Sequence, residues 1–367
     1  MKNCYYKLEY DKILQILSTY CKTDIGKNIA LNLLPSNNSL EVKHLLKETS
    51  EALIVTSKAG TPPICFLPNI DLWIKYLKSN HTLSAKALLE IGKTLKVSRE
   101  LKDFFLNNSN IDASNFEILL SNFNLLYTNT QLENLIFKSI IDENTISDDA
   151  SSTLSSIRRN KKRLEQDIKD KLNSMLHSSS YSKYIMEPIV TIRNDRYVIP
   201  VKIEYKDNIK GFIHDISSSW STVFIEPITV FELNTKISNL KIEENIEIEK
   251  ILKNISESIL PICENLKEDT FLIGRLDFIF AKALYSKNIT GIEPHINENK
   301  EINLIKARHP LIDSSKVVPI DISLGKNYNS LIITGPNTGG KTVTLKTTRS
   351  FNINGCKWSS YSSKWKQ

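Results

Sequence analysis

Between residues 146 and 180 the chain has neither glycine nor proline, and Leu154, Ile157, Leu164, Ile168, Leu172 and Met175 recur at helical steps. A stripe that narrow is buried only by laying a long helix against a second element along its length. The partner follows Pro227, where "VFELNTKISNLKIEENIEIEKILKNISESI" and "LIGRLDFIFAKALYSK" restore a helical period over a comparable length. From Tyr181 to that point the period is two. "EPIVTIRNDRYVIPVKIEY", "IKGFIHDISS" and "STVFIEP" are short, β-branched and bounded by Asn194-Asp195 and Asp207-Asn208. The pattern predicts a small antiparallel sheet inserted between two long antiparallel helices.

Upstream, "YDKILQILSTYC", "SLEVKHLLKETSEALIVTSKAG" and "SAKALLEIGKTLKVSRELKDFFL" place apolar residues at i, i+3, i+4 and i+7, with Gly26, Pro35, Gly60, Pro62 and Pro63 as breaks and Ser84 as a cap. This reads as a helical bundle. After about Ile289 the pattern changes once more: "EINLIKARHPLI" and "SLIITG" read as strands and "GGKTVTLKT" as a helix start, the opening of an α/β domain. The fold class is therefore α+β, mostly α. Its expected parts are a helical core over 1–145, an arm helix over 146–180, a β cap over 181–228, returning helices over 229–289 and the α/β opening over 290–348.

Gly335-Pro336-Asn337-Thr338-Gly339-Gly340-Lys341-Thr342 satisfies the phosphate-loop pattern GxxxxGK[ST], after an apolar strand and before a helix. Glycines let backbone N–H groups curl around phosphates, and the helix start adds its dipole. Lys341 would reach the β- and γ-phosphates of ATP, and the Thr342 hydroxyl would ligate magnesium. Hydrolysis also needs an acid at the end of a second strand, and nothing after Lys346 offers one. Nucleotide binding without turnover is the expectation.

Composition narrows the partners. Lys and Arg exceed Asp and Glu by 48 to 41, a mild excess that permits a polyanionic partner without demanding one. The run Arg158, Arg159, Lys161, Lys162, Arg163 reads first as a solvated helix face and second as a phosphate contact. The five cysteines are scattered, without CxxC or metal-ligand spacing, so the expectation is a reduced, cytoplasmic, metal-site-free chain apart from the loop's magnesium. No apolar run approaches about 18 residues, so no membrane segment is expected.

The segment "LIITGPNTGGKTVTLKT" resembles the second bacterial MutS family, and "LEYDKIL", "TSEAL", "VTIRNDRYVIPVK", "GFIHDISSS", "FIEP", "LDFIFAKA" and "ARHPLI" agree with it in order and spacing. The resemblance covers residues 5–348. It implies a helical core, two lever helices, a β clamp at their tips and an ABC-type P-loop ATPase domain that forms a homodimer around ATP. Such proteins act on branched or mismatched DNA and suppress recombination, or bind collided ribosomes and their RNA; family members carry a C-terminal nuclease domain. By position, 335–342 would hold the phosphates, 317–321 with Val318 would lie beside the adenine, and Arg308 and His309 near the nucleotide. Arg193, Arg196 and Lys202 would meet nucleic-acid phosphates from the clamp.

Three departures from the family pattern stand out. Trp220 occupies a position where the family has Gly, in a turn that calls for a positive φ. Ile320 stands where Asn is usual. The tail "RSFNINGCKWSSYSSKWKQ" carries no helical period, and one allowed back-translation shifted by a base reads "GALTLMAANGVHIPANGN", which resembles the family's next helix. Residues 349–367 are thus expected to be out of frame. The alternatives are an ATP-independent binding fragment or the product of a frameshifted gene. A chromosome-maintenance ATPase is disfavoured because its phosphate loop precedes the arms.

Overall fold

The computed structural model describes residues 8–36, 38–297, 299, 301–313, 315–334 and 340–355, with side chains as far as 348. The helices are α1 (Tyr10–Thr19), α2 (Asp24–Leu31), α3 (Ser39–Ala59), α4 (Asp71–Lys78), α5 (Ala85–Leu106), α6 (Glu117–Asn124), α7 (Thr130–Ser139), α8 (Ser152–Leu176), α9 (Ile228–Ile259), α10 (Cys263–Asn288) and α11 (Lys341–Gly355). The strands are β1 (Ile140–Asp142), β2 (Thr145–Ile146), β3 (Thr191–Arg193), β4 (Arg196–Lys202), β5 (Gly211–Ile216), β6 (Thr222–Pro227), β7 (Ile302–Ala307) and β8 (Ile320–Leu324). The chain is mainly helical with small antiparallel sheets. It divides into two compact units, one of Met1–Leu72, Glu90–Glu133 and Pro261–Gln367, the other of Trp73–Leu89 and Asn134–Leu260.

The first unit is organised by α10. From Leu276 to Ala283 every one of its residues is buried, as in a helix surrounded by others. Ile273, Leu276, Ile279, Phe280 and Ala283 join Ala52 and Val55 of α3, Leu101 and Phe105 of α5, and Leu119 and Phe123 of α6 in one core. The Phe105 and Phe123 rings stack there at 4.3 Å. Phe278, Ala281 and Tyr285 on another side of α10 meet Tyr10, Ile13, Leu14 and Leu17 of α1.

Where α2 crosses α10 the backbones nearly touch. A Cβ on Gly274 would stand 2.4 Å from Ile25 Cγ2, and one on Gly26 would stand 2.6 Å from Asp277 Oδ2. Asp277 ties the crossing by accepting from the backbone N–H of Lys22 (2.9 Å) and Thr23 (2.7 Å) and from the Thr23 hydroxyl (2.8 Å). Thr23 Oγ1 in turn accepts from the Gly26 N–H at 3.0 Å and caps α2.

Two more buried polar groups are partnered. The fully buried Lys282 donates to Glu48 Oε1 at 2.9 Å, and Arg275 donates to Glu48 Oε2 at 3.2 Å. Burial pushes the Glu48 carboxyl up, but the two cations outweigh it and its pKa is lowered. Asp269 accepts from the Tyr127 N–H (2.8 Å) and the Ser98 hydroxyl (2.7 Å), and burial raises its pKa to about 6.

In the second unit α8 and α9 run antiparallel: Ser151 bonds Glu247, Arg158 bonds Glu244, and Thr229 reaches Met175. The helix expected over 146–180 occupies Ser152–Leu176, because Ile146 pairs with Ile140 in a short hairpin and the Ser151 hydroxyl caps the helix by accepting from the Leu154 N–H. Between α8 and α9 lies a four-stranded antiparallel sheet in the order β3-β4-β6-β5. Asn194 and Asp195 close the β3–β4 hairpin with φ of 48° and 61°, the geometry that Asn and Asp tolerate best. Ile199, Val201, Val223 and Ile225 cover Ile168, Leu172 and Leu176 of α8 and Val230 and Ile237 of α9.

The C-terminal part differs from the sequence expectation in two places. β7 pairs antiparallel with β8, and 331–334 form no strand; a strand exists only through its ladder, and β7 and β8 spend theirs on each other, leaving Leu331 and Ile332 exposed. The segment after 348, read as lacking a helical period, continues α11 to Gly355, since no glycine or proline interrupts it before that residue. Residues 356–367 of the expected out-of-frame tail lie outside the described residues. Among the described residues no helix is long and apolar enough to cross a membrane.

Candidate nucleotide site and nucleic-acid interface

Gly335, Pro336, Asn337, Thr338 and Gly339 lie outside the described residues. The rest of the phosphate motif is in view. Gly340 has φ of 82°, a left-handed conformation that glycine adopts without strain, and among the described residues no atom lies within 4 Å of where a Cβ would be. Lys341 opens α11, whose first turn closes when the Thr344 N–H donates to the Gly340 carbonyl at 2.9 Å. Lys341 has no hydrogen-bond or ion-pair partner among the described residues. A left-handed glycine, a cation without a partner and a helix start fit a phosphate group.

Beside this helix start is a cleft of about 580 Å³ lined by Glu9, Lys12, His309, Thr342 and Lys346, among others. Glu9 accepts from Lys12 and Lys346, both at 2.7 Å, and these two bonds bring its pKa down to about 2. His309 is buried, and its Nδ1 accepts from the Leu311 N–H at 3.3 Å, which leaves the ring proton on Nε2. Burial lowers the imidazole's pKa, Glu9 acting against that and Lys346 with it. The ring is therefore neutral and fixes the turn that follows it.

The cleft brings His309 and Thr342 together. Val318 is 77% exposed and does not line it. Glu9 is the one carboxylate among its described lining residues, and it is saturated by two lysines. Among the described residues no group of three His, Cys, Asp or Glu side chains forms a metal site. Sequence reasoning singled out neither Glu9 nor Lys346. Both sit inside quoted motifs, "LEYDKIL" and "GGKTVTLKT", but nothing local signals a contact between residues 337 positions apart.

In the sheet, the basic residues expected to face nucleic acid are already engaged. Arg193 pairs with Asp215 at 3.2 Å and lies over the Phe224 ring at 4.1 Å. Arg196 donates to Glu226 Oε1 at 3.0 Å and to the Thr235 hydroxyl at 3.2 Å. The fully buried Glu226 also accepts from Asn234 at 2.7 Å and contacts His214 Nε2 at 2.6 Å. Arg193 and Arg196 are cross-strand partners, whereas Lys202 is at the far end of β4, where its Nζ reaches the Lys183 carbonyl at 3.4 Å. Trp220 takes φ of 55° in the β5–β6 turn and is 70% exposed. Along α8, Arg158 and Lys161 both bond Glu244, while Arg159, Lys162 and Arg163 face solvent.

Two long antiparallel helices with an antiparallel sheet between them in sequence, followed by a helix that opens on Lys341, are in the order that the MutS-type resemblance implies. No family model matches the chain. Curated relatives do. Endonuclease MutS2 of Acetivibrio thermocellus is 43% identical over 346 residues, covering 94% of this chain and 44% of the relative. Endonuclease MutS2 of Clostridioides difficile is 41% identical over the same coverage, and that of Finegoldia magna is 42% identical over 340 residues, 93% of this chain and 43% of the relative. The chain belongs to the MutS2 family and spans about 44% of the length of these relatives.

Proposed function

We propose that the chain is an ATP-binding, nucleic-acid-binding part of a MutS2-family protein. ATP phosphates are held by residues 335–342, with magnesium on the Thr342 hydroxyl and His309 shaping the adjoining cleft. The paired helices and their sheet act as levers and clamp on branched or mismatched DNA, in a homodimer closed around nucleotide. The carrying observation is the left-handed Gly340 followed at the head of α11 by Lys341, which has no partner among the described residues, inside the stretch shared with the relatives. The relatives are named endonucleases, and we assign no residue of this chain to that activity.

A second reading, binding without an ATP cycle, is favoured by one observation: Glu9, the described carboxylate beside Thr342, is neutralised by Lys12 and Lys346. We propose that the 367-residue polypeptide binds ATP and does not turn it over. Titration with a fluorescent ATP analogue is expected to show saturable binding that Lys341→Ala weakens by about tenfold or more, the loss of one charge-assisted phosphate contact. Absence of binding by the parent chain would sink the nucleotide assignment. Steady-state phosphate release that disappears in Lys341→Ala would sink the inactive reading. Ribosome co-sedimentation exceeding DNA affinity would move the partner from DNA to the ribosome.

A further inference from the structure

Helix α8 carries five basic side chains in the six positions 158–163, and the structure divides them into two sets. Arg158 and Lys161 turn toward α9, where Glu244 takes both; Arg158 also bonds Asp148 at 2.5 Å and the Ile146 carbonyl at 2.7 Å. Arg159, Lys162 and Arg163 are exposed, and none has a hydrogen-bond, ion-pair or ring partner among the described residues. Their i, i+3, i+4 spacing puts three cations on one face within one helical turn, where they repel one another. Ser156 and Ser152, also exposed, extend the same face by one and two turns and add hydroxyl donors.

The sheet is the opposite case. Its residues 181–228 contain six basic and six acidic side chains, and Arg193 and Arg196 are spent on Asp215 and Glu226. Drawing Arg196 toward a phosphate would take its arginine from the buried Glu226, leaving it Asn234 and His214, whereas Arg159, Lys162 and Arg163 give up no contact among the described residues to bind one.

We propose that the Arg159–Lys162–Arg163 face of α8 is a docking surface for the phosphodiester backbone of duplex DNA, and that this face, not the sheet arginines, supplies the chain's main electrostatic contact with nucleic acid. The inference rests on the nucleic-acid reading above and locates it. A face of cations and hydroxyls positions a duplex without reading its sequence.

The test is anisotropy of a labelled random-sequence duplex of about 30 base pairs titrated with the full chain over a series of salt concentrations, a span that offers more phosphates than one arm can reach. Substituting R159Q, K162Q and R163Q together is expected to lower affinity about tenfold or more. The slope of log affinity against log salt should fall by roughly 2–3, since each neutralised phosphate contributes about 0.9. Because all three side chains are exposed, the melting temperature should stay unchanged. R193Q with R196Q is expected to leave the slope unchanged and to lower the melting temperature. An unaltered slope in the triple variant, with the parent chain binding DNA, overturns this inference alone. No salt-dependent binding by the parent chain overturns the nucleic-acid reading with it. A loss confined to a labelled RNA hairpin overturns the assignment to DNA.

Discussion

Trp220 holds φ of 55° at a position where a side chain gains nothing from burial. An L-residue in that region costs about 1–2 kcal/mol relative to its allowed basins, and glycine recovers most of this while losing somewhat more chain entropy on folding. Trp220→Gly is expected to stabilise the sheet by about 1 kcal/mol, read as a higher denaturant midpoint at constant slope. Lys282 presents the reverse economy: wholly buried, it balances Glu48 together with Arg275. Lys282→Met would leave Glu48 with one partly exposed cation, and a loss of about 3 kcal/mol is expected, as for other broken buried pairs. A midpoint unchanged by Lys282→Met would show that Arg275 alone suffices.

At the scale of elements, the crossing of α2 over α10 sets two magnitudes against each other. Gly274→Ala gains about 1 kcal/mol of helix propensity. It also drives a methyl to 2.4 Å from Ile25 Cγ2 and 2.6 Å from Ile25 Cβ, which cannot swing aside. Overpacking of this kind costs about 1–3 kcal/mol, so net destabilisation is expected in thermal melts. On the far side of the same helix, the folded state keeps a proton on Asp269 up to a pH of about 6, while an unfolded aspartate releases it near 4. Folding therefore binds a proton between those values. The carboxyl's contribution is fully present below pH 4 and is lost as pH rises through about 6, at most about 3 kcal/mol. Asp269→Asn is expected to flatten the stability profile in that window.

Legibility of these elements from sequence followed the range of the interactions that make them. The arms and the sheet were visible because a glycine-free apolar stripe and a β-branched alternation are local patterns, and Asn194-Asp195 announces its own hairpin. The start of α8 was placed six residues early because an N-cap at Ser151 competes with an equally polar Ser147 that begins a tighter turn. The strand expected over 331–334 failed for a non-local reason, since its apolarity says nothing about whether a ladder partner is present. Of the candidate site, the glycine, lysine and threonine of the loop were legible as a motif. The Glu9–Lys346 pair and the neutralised arginines of the sheet depend on partners that only the fold brings near.

For the molecule as a whole, nucleotide and stability are linked. ATP at about a hundredfold excess over its dissociation constant would add roughly 2.7 kcal/mol to the unit that carries Lys341, and nothing to a unit that does not touch it. Adding ATP is expected to raise the melting transition of the first unit in the parent chain, and to raise it by about half as much or less in Lys341→Ala. The carboxylate of Asp277, which fastens Lys22 and Thr23, lies 255 and 254 residues beyond them. With translation at about 5–20 residues per second, α1 and α2 leave the ribosome roughly 10–50 s before the side chain that anchors them exists. During that interval Ile13, Leu14 and Leu17 lack the cover of Phe278, Ala281 and Tyr285, while α8, the sheet and α9 can close on one another. The opening segment of the chain is thus short of its long-range partners during synthesis, and structure is expected to be acquired from the middle outward.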